Sequence, residues 1–570
     1  MANMILPGTY IEVRPEGLIA PGQVTVGNVG VIGTAAKGPL NTPVVLGSFA
    51  DAKQNFYTYD AWKPENLSSI DPLNPPPLTL VRALEQAFNH GASTVFAVRV
   101  GSGSVAKAGY TVKSASGDCV QLAAKTEGTW GDDLSINMAG ADDNALISNE
   151  LHHGNDPAPL TLKHFPVVKS ARNRALLHVD AANTTKSLQI LYSGGLADDD
   201  PAAPVAGQVK INRTTGVMSF GDAVAAADTV TVTYLVDKSR AVKVTLHLGP
   251  ASEVYTAVDG QSLIDEINDP DPNIGSSWVK GTPLANSSEL PSLSSPLGSV
   301  ANFKDGNNGE ITADYQTGLD AILNEEVHIV VAAGQDDSFG AKLDQHCQNA
   351  STDSIKHDRI GVIGSKLGAK LDDLRGHNLD SDRLIFVAPG IQSTDAASGK
   401  EVTLPGAYAA AAVAGMLAAL PAHVSLTNKA VSVDGLEQVF TNAQLEQLVT
   451  DRVLALERHL GFRVVKGITT TTGSAFSQIT TRRIVDFAKF VVRSAADPFI
   501  GLLNNDRVRT ALRASVDSGL KQMVKDEMLI TYDLSVSATR DEQIRGIARV
   551  DITLQPTFSI DFIKVTMFLQ

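Results

Sequence analysis

Short apolar runs alternate with helix-like segments in two separate parts of the chain. The runs have the unbroken apolar character of strands that are buried on both faces, and the segments between them carry apolar residues at helical spacing. The strand-like runs are residues 25–35, 93–101, 327–334, 359–365 and 383–390. This rhythm predicts a mostly parallel sheet covered by helices on both faces, in a discontinuous doubly wound α/β core made of residues 26–101 and 306–420.

Residues 102–305, which interrupt this rhythm, follow a different pattern. Apolar and polar positions alternate strictly at 228–236 and 241–249, and residues 209–221 resemble two strands around a turn. Alternation of this kind is typical of strands with one buried face. We therefore predict an inserted β-rich domain over residues 102–305.

The last part of the chain combines helices with strand-like segments. Two amphipathic helices are predicted around 480–496 and 505–528, inside an α+β domain of residues 421–545. Residues 546–570 are rich in β-formers and predict a closing strand and arm. At the other end, prolines flank the short apolar-alternating run 9–13, which predicts an edge strand within an extended arm of residues 1–25.

Composition limits the function classes. The 570 residues carry a net charge of −15, which argues against a general nucleic-acid coat. The two cysteines, Cys119 and Cys347, are far apart and are interpreted as buried free thiols. The alanine-rich stretch 405–422 is short for a membrane span and predicts a buried helix. The N-terminus lacks the pattern of a signal peptide, so we expect a soluble protein made in a cytoplasm, without membrane insertion.

No segment carries the pattern of a catalytic or cofactor-binding motif. Gly399-Lys400 is followed by Glu401, where a phosphate-binding loop needs a serine or threonine. Zinc-protease, nucleophile-elbow and calcium-loop spacings are also missing. The sequence therefore predicts no enzyme, no cofactor and no metal site.

Basic residues are concentrated between residues 480 and 513. This segment has seven basic and three acidic side chains, although the whole chain is acidic. One interpretation is a basic surface that is complementary to an acidic partner. The alternative is a solvated helix face stabilised by internal pairs such as Arg482–Asp486.

Several of these segments, in this order, resemble the contractile tail sheath proteins of bacteriophages and related injection particles. Each motif is weak alone, and their shared order carries the resemblance over about two-thirds of the chain. They are PGTYIEV (7–13), GVIGTAAKGPLNTPVVLGSFADAKQNF (30–56), ALEQAFNHGASTVFAVRV (83–100), VHIVVAAG (327–334), LPGAYAAAAVAGMLA (404–418), TTRRIVDFAKFVV (480–492) and PTFSIDFIKVTMFLQ (556–570).

The resemblance implies that both terminal arms add strands to the C-terminal domains of neighbouring subunits. The residues that it assigns to these inter-subunit arms are Thr9, Tyr10, Ile11, Glu12, Val13, Phe558, Ile560, Phe562, Val565 and Met567. It also implies that the helix at 480–496 faces an inner tube, with Arg482, Arg483, Lys489 and Arg493 as the contacts. The insertion would then be an outer domain.

The function implied by the resemblance is mechanical. Copies of the chain would form hexameric rings stacked into a helical sheath around a tail tube, together with baseplate and tail terminator proteins. The sheath would contract from a metastable extended lattice and drive the tube through a bacterial envelope for genome ejection. Its location would be the virion tail, assembled in the cytoplasm of the bacterial host.

Other interpretations remain open from the sequence. A headless phage-tail-like injection particle would use the same kind of sheath. A non-contractile surface-layer or adhesin protein would bind through the β-rich insertion. An enzyme with a doubly wound domain would bind its ligand at the carboxyl ends of the parallel strands.

Overall fold

The computed structural model describes residues 27–67, 76–101, 103, 105–309 and 314–568. Contacts between residues divide the chain into two compact units, one of residues 105–308 and one of the segments on either side. The predicted N-terminal arm strand, Thr9 to Val13, lies outside the described residues.

The segment before the insertion supplies strands and helices to the first unit. In chain order they are β1 (Val29–Gly33), β2 (Pro43–Leu46), α1 (Phe49–Phe56), α2 (Leu80–Asn89) and β3 (Val95–Arg99).

The unit of residues 105–308 consists mainly of strands. In chain order its elements are β4 (Gly109–Ser114), β5 (Gly117–Ala124), β6 (Leu134–Gly140), β7 (Ala145–His153), β8 (Val167–Val168), β9 (Arg174–Val179), β10 (Thr184–Ser193), β11 (Gln208–Asn212), β12 (Met218–Phe220), β13 (Thr229–Val236), β14 (Val242–Leu248), β15 (Ala251–Ala257), α3 (Gly260–Ile267), β16 (Val279–Pro283) and β17 (Ala301–Asn302).

The chain then returns to the first unit. Its elements up to residue 464 are α4 (Tyr315–Ala321), β18 (Ile329–Ala332), α5 (Gly340–Ala350), β19 (Ile360–Gly364), α6 (Leu371–Arg375), β20 (Leu384–Ala388), β21 (Ile391–Asp395), β22 (Lys400–Leu404), α7 (Gly406–Ala419), β23 (Gly435–Leu436), α8 (Asn442–Thr450), β24 (Leu454–Arg458) and β25 (Phe462–Val464). The C-terminal elements are α9 (Ile479–Ala496), α10 (Asp506–Lys525), β26 (Leu529–Ser537), α11 (Arg540–Ile544) and β27 (Arg549–Pro556).

An eight-stranded sheet is the centre of the first unit. Its strand order is β2-β3-β1-β18-β19-β20-β24-β25, so it combines strands from before and after the insertion. The pairs from β3 to β24 are parallel, and the outermost strands, β2 and β25, pair antiparallel. Every residue of β1, β3, β19 and β20 is buried. These four strands are the apolar runs of the sequence, and they are covered on both faces as those runs predicted.

Each face of this sheet packs into its own apolar core. Val29 and Val31 of β1 join α2 and α7 on one face, whereas Ile32 joins the cluster that contains Leu343 of α5 and Leu448 of α8. The prediction of a mixed α/β fold is confirmed. The predicted boundary at residue 421 is wrong, because β24 and β25, which follow it, extend this sheet.

Helix α7 is the alanine-rich segment that was predicted to be buried. All residues from Gly406 to Leu417 are buried, so the helix is apolar on every side. Small residues let its backbone approach α2, and a Cβ added at Gly415 would lie 2.2 Å from the carbonyl oxygen of Ala87. Among the described residues, no helix combines the length and apolarity needed to cross a membrane.

The unit of residues 105–308 contains three sheets. Their orders are β12-β11-β10-β9-β13-β7 with β8 beside β13, then β15-β14-β6-β17, and β16-β5-β4. The strands predicted at 228–236 and 241–249 are β13 and β14, and the predicted two-strand turn is the antiparallel pair β11–β12. Alternate residues of β13, such as Val230, Val232 and Tyr234, enter its core.

The close contact at Gly415 gives a stability prediction. Gly415→Ala forces a methyl group against the backbone of α2, so we expect a loss of about 1–3 kcal/mol in the free energy of unfolding. Chemical denaturation followed by circular dichroism measures this loss. Gly473→Ala is the control, because its added Cβ would lie 3.4 Å from the nearest atom. Equal stability of the two variants would contradict the packing argument.

Candidate functional site

Helix α9 contains the four basic residues that were predicted to face a partner. Its 18 residues extend for about 27 Å. One apolar stripe, including Ile484 and Phe487, packs with α10 residues such as Leu512 and Val516. The opposite side of the helix lies against the N-terminal edge of the parallel sheet, where Asp358 is two residues before β19 and Arg383 is directly before β20.

Asp486 on α9 is the first centre of a buried ionic cluster. Arg383 donates to both of its carboxylate oxygens, at 2.8 and 2.9 Å, and Arg482 donates from one turn earlier at 2.7 Å. Burial alone would raise the pKa of Asp486, but the two guanidinium groups outweigh burial and hold this pKa well below its usual range. Asp486 is therefore a buried anion with paired charges.

Asp358 is the second centre of the cluster. Arg493 Nη1 donates to its Oδ2 at 2.6 Å, Arg383 Nη2 lies 3.2 Å from its Oδ1, and Lys489 donates to the same Oδ1. Burial lowers the pKa of Lys489, and the nearby carboxylates of Asp358 and Asp486 only partly offset this effect. Two carboxylates thus bind cations from both the sheet edge and the helix.

Arg483 has a different role within the same helix. It donates to the carbonyl oxygens of Leu420, at 2.9 Å, and Pro421, at 3.3 Å. Burial lowers the pKa of Arg483 to about 10, which leaves the guanidinium charged at neutral pH. Because Leu420 is the C-cap of α7, Arg483 places a positive charge at the negative end of that helix.

These contacts correct the predicted basic surface. Arg482, Arg483, Lys489 and Arg493 are only 4–7 % exposed, and their charged groups bind acids or carbonyl groups of the same subunit. The alternative interpretation named the pair Arg482–Asp486, and that pair is present, although it is buried. The burial of these four side chains argues against direct contact with an external tube.

The exposed cations of this region lie on α10 instead. Arg507, Lys521 and Lys525 are spaced so that they share one face of this helix, and each of them is exposed. Lys521 also pairs with Asp517 at 2.6 Å. The sequence pattern placed basic residues on both helices, but it could not show that only those of α10 reach the surface.

Strands β26 and β27 form a separate two-stranded antiparallel sheet. Their register runs from Leu529 opposite Pro556 to Ser537 opposite Arg549. Within the part of the chain that the structure describes, neither strand has a further partner, so both outer edges are open. Open edges present unpaired backbone N–H and C=O groups that can accept another strand.

The segment after β27 exposes a row of apolar side chains. Its predicted arm residues are exposed by 57 % at Phe558, 80 % at Ile560, 84 % at Phe562, 69 % at Val565 and 85 % at Met567. Residues 557–568 form no helix or strand in the isolated chain. A contiguous apolar surface of this kind is typical of an interaction segment.

Two family models match the chain over this region and the sheet that supports it. The phage tail sheath protein central domain matches residues 309–470, and the phage tail sheath C-terminal domain matches residues 471–570.

Residues 309–570 therefore carry the two domains that these models describe for the phage tail sheath family.

Solved sheath structures share the fold of this chain. The sheath tail protein of Desulfitobacterium hafniense is 14% identical, with a TM-score of 0.56, and the match covers 93% of each chain. The sheath tail protein of Listeria innocua is 13% identical, with a TM-score of 0.56, and the match covers 95% of this chain and 94% of that one. No curated protein matches the chain. The boundary between the two sheath domains follows β25, in agreement with the extent of the eight-stranded sheet.

The buried cluster predicts that loss of the charge at Asp486 destabilises the fold far more than loss of the charge at an exposed acid. Asp486→Asn leaves Arg383 and Arg482 buried without their shared anion, so we expect a loss of about 3–5 kcal/mol in the free energy of unfolding at pH 7. Asp541→Asn is the control, because Asp541 and Arg545 form an exposed i,i+4 pair, for which we expect a loss below about 1 kcal/mol. Urea denaturation measures both values.

The same comparison has a pH dependence with a defined sign. The folded-state pKa of Asp486 is lowered, so its stabilisation is complete above the unfolded pKa of about 4 and is lost as pH falls below it. The stability gap between wild type and Asp486→Asn should therefore narrow from pH 5 to pH 3. A constant gap over this range would contradict the assignment of Asp486 as a buried anion.

Proposed function

We propose that this chain is the subunit of a contractile sheath that polymerises with copies of itself around a tail tube. The observation that carries the proposal is the exposed arm of residues 557–568 beside a two-stranded sheet with open edges, in a chain with both sheath domains. The arm of one subunit could add as a strand to an open edge of another subunit, because both have backbone groups that lack hydrogen-bond partners.

The arm and the edges are complementary in their chemistry. Strand addition gives each newly paired backbone group a net gain of about 0.5–1.5 kcal/mol. Covering a large apolar side chain such as Met567, which is exposed in the single chain, adds about 1.5–3 kcal/mol. The arm and the edge are different surfaces of the subunit, so an arm that pairs with a neighbour whose own arm pairs with a third copy makes a head-to-tail contact, and such contacts extend into rings or helices. By resemblance to similar sheaths, we assign the N-terminal run Thr9–Val13 to the second edge.

Contraction follows from this linkage as a mechanism. We infer that the body of the subunit, a doubly wound core interrupted by the insertion, moves largely as a rigid unit while the arms remain paired with neighbours. The energy is then stored in the extended lattice during assembly, and a baseplate signal releases it. The subunit suits a phage tail, built in the bacterial cytoplasm and used for genome ejection, and equally a headless injection particle.

Removal of the arm tests the proposal directly. A chain that ends at Pro556 retains β27 and its pairing with β26, so we expect the same circular dichroism spectrum and no polymers. Negative-stain electron microscopy of the full-length chain at high concentration, alone or with tube and baseplate proteins, should show hollow striated tubes or stacked rings.

Point variants separate the arm from general effects of surface charge. The double variant Val565→Asp/Met567→Asp should abolish polymers, because it places two carboxylates where apolar contacts are proposed. Val439→Asp is the matched control, since Val439 is also an exposed apolar residue of this unit. Normal tubes from the arm variant would contradict the proposal.

The contact with the tube is proposed on a new surface. Because the basic side chains of α9 are buried, we assign tube contact to the exposed face of α10 that carries Arg507, Lys521 and Lys525. An acidic tube surface would be complementary to this face, and exposed pairs of modest strength can hold and then release.

Charge reversal on α10 is the corresponding test. The triple variant Arg507→Glu/Lys521→Glu/Lys525→Glu should form empty sheaths but fail to co-sediment with tube protein. Reversal of Lys280, Lys304 and Lys238, in the unit of residues 105–308, is a control with the same change of net charge. If the α10 variant retains tube binding at 0.15 M salt, the assignment is wrong.

A further inference from the structure

Asp561 turns back from the exposed C-terminal arm onto its own subunit. Its carboxylate accepts hydrogen bonds from Thr427 Oγ1 at 3.3 Å and Gln478 Nε2 at 3.2 Å, and Lys466 Nζ lies 3.7 Å away. The Asp561 side chain is only 9 % exposed, although the residues on either side of it are among the most exposed in the protein. Asp561 therefore marks a point at which the arm is attached to the body.

A cation and two neutral donors make this attachment specific for a carboxylate. Thr427 follows α7 in the chain, Lys466 follows β25, and Gln478 is the N-cap of α9, so the two donors and the cation come from separate segments of one unit. Lys466 Nζ also lies 5.2 Å from the centre of the Phe562 ring. Hydrogen bonds that involve charged groups are about twice as strong as neutral ones.

The apolar alternation of the arm changes phase next to this attachment. Phe558, Ile560 and Phe562 fall on even positions, whereas Ile563, Val565 and Met567 fall on odd positions. Successive side chains of an extended chain point to opposite sides, so an arm with one apolar face would keep one parity. The apolar face therefore changes sides between residues 562 and 563.

This change of phase separates two parts of the arm. Asp561 faces its own subunit, and in a continuous extended chain Ile563, Val565 and Met567 would point to the same side as Asp561. They are nevertheless 82 %, 69 % and 85 % exposed. The chain has therefore left the surface of its own subunit after Phe562.

We propose that Asp561 anchors the C-terminal arm, so that residues 557–562 remain on their own subunit and residues 563–568 enter a second copy. This inference rests on the proposed sheath function and adds the point at which the shared strand begins. Six extended residues reach about 20 Å, which is the length of a typical strand.

Anchoring also makes the association between copies more favourable. An arm held at Asp561 leaves only the segment after Phe562 to be ordered on binding, whereas an arm that is free from Pro556 onward leaves its whole length. Pre-organisation of this kind lowers the entropic cost of association and raises the effective concentration of the binding segment. The anchor acts on assembly through position, without itself touching the second copy.

Charge exchange between Asp561 and Lys466 provides the experiment. The measured quantity is the critical concentration for polymerisation of the full chain, from sedimentation of polymers. Asp561→Lys and Lys466→Asp should each raise it on the order of tenfold. The double variant, which restores an opposite-charge pair, should return it to within about threefold of wild type. Glu446→Lys, at an exposed carboxylate on α8 and away from the β26–β27 sheet, is the control and should have little effect.

The outcomes separate the anchor from the sheath proposal. A wild-type chain that never polymerises, even with tube and baseplate proteins, overturns the sheath function and the anchor with it. If wild type polymerises and Asp561→Lys has the same critical concentration, the anchor alone is overturned. The anchor is also overturned if the critical concentration of the double variant is as high as that of the single variant that polymerises less readily.

Truncation tests the proposed division of the arm. A chain that ends at Phe562 keeps the anchor but lacks the segment that would enter the second copy. It should fail to polymerise, while its melting temperature stays within a few degrees of wild type. Normal polymers from this chain would show that residues 557–562 are sufficient, and would overturn the division.

Discussion

Two buried carboxylates, Asp358 and Asp486, join helix α9 to the edge of the parallel sheet. Burial of charged groups costs several kcal/mol for each ion, and this cost is offset only where the geometry satisfies each group. Here Arg383 from the sheet edge bridges both carboxylates, and three cations of α9 complete the pairing. Apolar packing would allow the helix to slide, whereas these directional pairs define its position. A force applied to the C-terminal elements is therefore transmitted to the sheet.

The C-terminal sheet has an opposite physical character, because it is incomplete within one subunit. Two open strand edges and an exposed apolar arm are features that soluble proteins usually avoid. A net charge of −15 keeps free subunits apart at long range. In the proposed sheath, short-range strand pairing then decides which contacts form. The structure thus combines a helix that is rigidly attached to the sheet with strand edges that are proposed to pair with neighbouring subunits.

Much of the fold follows from local periodicity, and the parts that do not follow depend on distant residues. The runs at β1, β3, β19 and β20, the buried helix α7 and the alternating strands β13 and β14 were all predictable from the spacing of apolar residues. The extension of the sheet by β24 and β25 was not, since it depends on pairing with β20 more than 60 residues earlier. The basic residues of α9 were misread for the same reason. Their spacing identified a second helix face, but the distant acids that cover this face, Asp382 and Asp358, are 100 residues from Arg482 and 135 residues from Arg493. The resemblance to sheath proteins likewise led to the prediction of the arm residues, but it gave no sign of the partners of Asp561.

The ends of the unit of residues 105–308 are tied together by backbone pairing. Ala106 and Asn307 exchange hydrogen bonds of 3.1 and 3.0 Å, which holds the entering and leaving segments of the chain about 5.5 Å apart. The chain therefore enters and leaves this unit at neighbouring positions. Removal of the residues between Ala106 and Asn307 would leave two chain ends that a short linker can rejoin. For protein engineering, this junction is a natural place to exchange one folded cassette for another: an enzyme, an epitope or a targeting module whose termini lie close together could be displayed once per subunit along the whole polymer.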